Sequence, residues 1–239
     1  MLDISVLQEE QRLLRQELNQ LKDCQLRYFT LSVTGTAAIF GLVATLGKSA
    51  ILGVAFLAPL SIILPCWCIF FDKATTITRI VGYYRVFERM IADLPTADTK
   101  YIGYERALAL YRKEDDGKGR DEMDQYQIVQ KTRDFYKQKA TLSQKKIRHR
   151  YWMINWFTYT MLSTFCCILS LLSLTLSCSF RPWHILIPVF SFVLTLIFAW
   201  LTWKLMKQVA HGVYSYNENH CFWEFIHAKY GQRIINLEE

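Results

Sequence analysis

Few constellations in this 239-residue sequence combine the residue types and spacing that chemistry needs. His220, Glu224 and His227 fall at i, i+4 and i+7, so one helix would turn all three the same way, the convergence that metal ligation requires. A third histidine or a second Glu-x-x-His is missing, so no metal and no cofactor is assigned. Cys66 and Cys68 lie in an apolar run and read as small apolar filler. The sequence holds no Gly-x-Ser-x-Gly elbow, His-Glu-x-x-His, Walker A loop or Rossmann glycine pattern, and the chain reads as non-enzymatic.

The groups that do recur in a pattern are small. Thr30, Thr34, Ala37, Gly41 and Ala44 form one stripe at helical spacing, and Ser163, Cys166, Ser170, Ser173 and Ser177 form another. Small residues let helix backbones approach closely, so helix packing is the ordinary reading of both, and it is the one taken for the first stripe. For the second, the sharper reading is a pore lining, because hydroxyls hydrate a lumen without a charged filter. A third cluster is basic: Lys137, Lys139, Lys145, Lys146, Arg148 and Arg150, with His149 among them. Topology and attraction to anionic headgroups explain it, each basic residue adding about 1 kcal/mol near a lipid surface. A nucleotide signal or other anionic ligand would also suit it, although no phosphate-binding motif accompanies it.

These residues are positioned by four charge-free runs, Tyr28 to Gly47, Ser49 to Phe71, Tyr151 to Phe180 and Pro182 to Trp203, with single charges at Lys48 and Arg181 between the members of each pair. A bilayer core of about 30 Å takes about 20 apolar residues, and each run reaches that length. A soluble helix this long would show charge on its wet face. The expected fold is therefore an all-α membrane protein with four transmembrane helices arranged as two hairpins with cytoplasmic extensions. Eighteen of the 28 lysines and arginines lie between Lys73 and Arg150, which places that segment and both termini in the cytoplasm. The first run follows 27 residues with five acidic side chains and reads as an anchor, not as a cleaved signal. None of the runs contains Asp, Glu, Lys or Arg, whereas ion-coupled transporters, proton relays and intramembrane hydrolases keep such groups at depth.

Five segments follow: a cytoplasmic amphipathic helix (1–27), hairpin 1 (28–71), a cytoplasmic helical domain (72–150), hairpin 2 (151–203) and a cytoplasmic tail (204–239). Ile4, Leu7, Leu14, Leu18 and Leu21 give the first helix its apolar face. After the second span the helix is expected to continue through Ile77, Ile80, Tyr84, Phe87 and Ile91 and to stop at Leu94-Pro95. A short helix is expected over Tyr101 to Lys113, then one long helix from Asp121 into the third span. Pro59, Pro65 and Pro188 are expected to kink or loosen their helices. The aromatic tail reads as a helix or two docked on the cytoplasmic bundle or on a neighbouring subunit.

The stretch Phe70-Phe71-Asp72-Lys73-Ala74-Thr75-Thr76-Ile77-Thr78-Arg79-Ile80-Val81-Gly82-Tyr83-Tyr84-Arg85, together with the charge-free spans and basic interior, resembles the small multi-span effectors of bacterial anti-phage defence systems. That resemblance implies a homo-oligomer in the bacterial inner membrane that permeabilises or depolarises it on a cytoplasmic trigger, with a soluble sensor as a possible partner. It carries over no site residues. Two other classes fit the same sequence: a membrane scaffold that recruits a soluble partner, and a small-molecule transporter or lipid-handling protein.

Overall fold

The computed structural model describes residues 4–45, 50–93, 103–115, 119–140, 145–176 and 185–230, and every element among them is helical. Helix α1 runs unbroken over Ile4–Thr45. Helix α2 (Ala50–Ala55) leads through a turn into α3 (Leu60–Asp93). Short α4 (Tyr104–Asp115) and α5 (Gly119–Glu122) precede a 3-10 turn at Met123–Gln125 and α6 (Gln127–Ala140). Helices α7 (Lys145–Thr175), α8 (Leu186–Ala210) and α9 (Tyr216–Tyr230) complete the described chain. By length and composition four helical stretches can cross a membrane: Leu7–Thr45, Gly53–Ile91, Tyr151–Thr175 and Leu186–Ala210.

Three local expectations change. Of the three prolines, Pro59 alone marks a break: around it Leu57 N–H bonds to Val54 O and Ala58 N–H to Ala55 O, the tight i to i+3 pattern of a chain leaving an α-helix. Helix α3 continues through Pro65. Pro188 falls in the first turn of α8, where no intrahelical donor is needed. The single helix expected from Asp121 is interrupted, with Tyr126 extended at φ −87°, ψ 122°. Burial of Met123 and the 5.0 Å approach of the Tyr126 ring to Phe225 hold the break. The new helix is tied down where Gln130 Nε2 donates to Asp124 O and Arg133 to the Asp124 carboxylate. The helix expected over Tyr101 to Lys113 occupies Tyr104–Asp115 instead, and Tyr101 lies outside the described residues.

The chain divides into two compact units, and it passes between them within α1, α3, α7 and α8. The first comprises residues 1–21, 75–146 and 208–239. Its centre is α9, on which Asn219 and every residue from Cys221 to His227 are buried. Leu7 and Leu14 of α1, Ile80, Tyr83 and Phe87 of α3, and Ala107 and Tyr111 of α4 belong to the same core. A helix buried on nearly all sides must be apolar or paired with its neighbours, and α9 combines Phe222, Trp223, Phe225 and Ile226 with a Glu224 carboxylate paired to Arg89. Gly82 permits the closest approach: a Cβ there would stand 2.9 Å from the backbone carbon of Asn219.

The second unit comprises residues 22–74 and 147–207. Its interior is aromatic. Trp67 stacks on Tyr159 at 5.6 Å and meets Phe198 edge-on at 5.1 Å, while Phe29 meets Tyr159 at 5.8 Å. Its outside is apolar as well: Met153, Ile154, Phe157, Met161, Phe165, Ile168 and Leu172 of α7 are all exposed, with Phe190, Val193, Ile197 and Leu201 of α8. An apolar belt this extensive matches the surface a bilayer requires of helices long enough to cross it.

Candidate functional site

The inward face of α7 is read directly from burial: Trp152, Asn155, Tyr159, Ser163, Cys166, Ser170 and Leu174 recur at three- and four-residue steps. Three members of the expected pore lining, Ser163, Cys166 and Ser170, are therefore inside the second unit, each 0% exposed. Ser173 is half-buried, and Ser177 lies outside the described residues. The structure adds two polar groups to the stripe: the Tyr159 hydroxyl, four residues before Ser163 on the same helical face, and the Trp67 indole, brought to its level by ring stacking. Helical spacing could have found the first; nothing local signalled the second.

Hydrogen bonding separates the polar groups of this unit into two sets. Ser32, Thr36, Thr160, Thr195 and Thr202 each donate to the carbonyl one turn earlier, and Trp156 Nε1 donates to Ala199 O and Thr202 Oγ1 at 3.2 Å. Gln25 Nε2 donates to Phe70 O at 2.8 Å. Trp67 Nε1, Tyr159 Oη, Ser163 Oγ and Ser170 Oγ are buried with no hydrogen-bond partner among the described residues. Ser32 interacts with Tyr159 and, with its own proton given to Tyr28 O at 2.8 Å, can only accept from it, but the two hydroxyls do not meet normal hydrogen-bond geometry.

The expected packing stripe of α1 points the other way. Thr30, Thr34, Ala37, Gly41 and Ala44 are all exposed, and a Cβ on Gly41 would meet nothing within 4 Å. Packing inside the unit falls instead to Gln25, Ser32, Thr36 and Val43, at seven- and four-residue steps. Of the basic cluster, Lys137 is exposed and pairs with Asp134 at 3.2 Å. The backbone of Lys139 belongs to α6 and that of Lys145, Lys146, Arg148 and Arg150 to α7, while their side chains lie outside what is described.

The first unit holds a buried ionic network that crosses three helices. Arg89 of α3 grips the fully buried Glu224 carboxylate of α9 with both guanidinium nitrogens at 2.5 Å. His220 Nε2 lies 3.2 Å from the same carboxylate, and its Nδ1 bonds at 2.7 Å to Tyr136 Oη, which accepts from Arg85 at 2.9 Å. His227 is buried beside the Tyr83 ring, and burial, opposed by the Glu224 charge, holds its imidazole down at about 4. Glu224 is thus engaged by Arg89 and His220, and among the described residues no three His, Cys, Asp or Glu side chains converge as metal ligands.

A groove of about 680 Å³ opens beside α1 in this unit, with Leu13 and Leu14 on its floor and Glu9, Glu10, Glu17 and Glu105 around it. Burial raises Glu10 and Glu17 above the usual carboxylate range, and the Glu105 charge adds to the effect on Glu17.

No family model, curated protein or solved structure matches this chain. What fold and site define is a class: an all-helical protein with four helices long and apolar enough to span a membrane, built with a second, charge-rich helical unit.

Proposed function

We propose that the chain is an oligomeric inner-membrane effector or channel that lowers the membrane barrier when a cytoplasmic trigger reorganises its charge-rich unit. The observation that carries this reading is the set of polar side chains without hydrogen-bond partners inside two charge-free runs of the second unit. A pure anchor gains nothing from them, and an ion-coupled machine would need charge as well. Unbroken α1 and α3 give the trigger a stiff route along the chain. The exposed small-residue face of α1 supplies the surface on which a second copy approaches closely. The anti-phage role rests on the resemblance alone.

A potential-sensitive dye in expressing cells tests the reading. High expression of the wild type together with the trigger should collapse the potential, and the Ser163→Leu/Ser170→Leu double variant should preserve it. An unchanged potential with the wild type plus trigger overturns the proposal. That second result would favour the scaffold alternative, for which the acidic, leucine-floored groove on α1 is the supporting feature.

A further inference from the structure

We propose that water enters the second unit and hydrates the inward face of α7 from Tyr159 to Ser170, held by the Trp67 indole N–H and the Tyr159, Ser163 and Ser170 hydroxyls. Each of these four side chains is at most 1% exposed, and none has a partner among the described residues. A buried donor left unsatisfied costs about 1–3 kcal/mol, so four of them in one small bundle are a heavy penalty for a dry interior. The unit relieves comparable groups wherever a protein acceptor is within reach. Five hydroxyls of α1, α7 and α8 bond back one turn, and Trp156 finds Ala199 O and Thr202. The remaining four are the exception: Trp67, Tyr159 and Ser163 lie within one turn of α7, and Ser170 follows on the same face.

Their spacing suits water. Trp67 and Tyr159 are stacked at one level. Ser163 follows one turn along α7, about 6 Å away, and Ser170 about 10 Å beyond that. A buried water makes about three hydrogen bonds and settles where polar groups converge away from bulk solvent. Relief by turning outward is closed, because the opposite face of α7 carries Met153, Phe157, Met161, Phe165 and Leu172. Between the two levels sits Cys166, 0% exposed, a weak donor that neither charges nor blocks the seam. The hydrated seam is thus inside one chain, and it stands whether or not the chain conducts ions.

Hydroxyl-radical footprinting of the full chain in lipid nanodiscs, read by mass spectrometry, tests this. Radicals form from water, so Trp67 and Tyr159 should be oxidised several-fold faster than Met161, an intrinsically more reactive side chain that faces outward at the same level. In the Ser163→Ala/Ser170→Ala variant their oxidation should drop several-fold while Met161 stays protected. If Trp67 and Tyr159 are no more oxidised than Met161, or if the double variant leaves their oxidation unchanged, the hydrated seam is wrong. A misfolded sample is recognised by oxidation of Met161 itself, and is replaced by the single variant Ser170→Ala, held to the same two criteria.

Discussion

Glu224 illustrates how much a single side chain can stake on its partner. Its carboxylate is fully buried and held by both terminal nitrogens of Arg89, whose own side chain is 41% exposed. Removing the arginine leaves a buried charge without its guanidinium partner, and Arg89→Ala should cost about 2–4 kcal/mol, discounted from a fully buried pair because solvent reaches Arg89. Chemical denaturation should show it, and Arg89→Met/Glu224→Leu should recover most of the loss, since the uncompensated charge goes with the pair. His227 supplies a pH dependence of definite sign. Unfolded, it titrates near 6.5, and folded it titrates at about 4. Between those values the unfolded chain binds a proton that the folded chain refuses, so stability is whole above pH 6.5 and falls as pH drops toward 4. At pH 5 the loss from this residue is about 2 kcal/mol. Thermal unfolding at pH 7 and pH 5 should therefore show a smaller acid shift in His227→Leu than in the wild type. The His220, Glu224, His227 spacing was legible in the sequence, but the partners of Glu224 and His220 were not, because Arg89 and Tyr136 lie 135 and 84 residues away from them respectively.

Helix α9 organises the charge-rich unit, and its closest contact depends on the absence of a side chain. Gly82 of α3 faces Asn219 and the backbone nitrogen of His220 at 2.9–3.0 Å from where a Cβ would stand. Backbone cannot move aside as a flexible side chain can, so Gly82→Val should part α3 from α9 and cost about 1–3 kcal/mol. Near-UV circular dichroism should register the change, because Tyr83, Tyr111 and Trp223 are packed at that contact with ring centroids 4.6–5.0 Å apart. Element existence was readable from periodicity and length, as α1, α3 and α8 show. Element interruption was not: Tyr126 leaves the helix for Phe225, a residue 99 positions later, and no local signal announces such a partner. The two prolines that leave their helices intact carry a related lesson. Pro188 is harmless because of where α8 begins, and α8's start is not visible in an apolar run.

For the whole molecule, the exposed face of α1 bears on assembly. Ala37 and Gly41 face outward, and a Cβ added on Gly41 meets nothing within 4 Å, so Ala37→Leu/Gly41→Leu should leave the fold intact while blocking close approach of a second copy. Native mass spectrometry from detergent should find oligomers of the wild type and a shift toward monomer in the double variant. The sequence by itself determined the helical class and the four membrane-length stretches, because bilayer thickness sets a length that charge-free runs either meet or miss. It also marked both small-residue stripes. Only the tertiary structure decided which way each stripe faces, since helical spacing defines a face but not what lies opposite it. The serine face of α7 is turned inward beside Trp67 and the glycine face of α1 outward, because the rings of Trp67, Tyr159 and Phe198 pack against one another inside and α1 closes that side with Ser32, Thr36 and Val43.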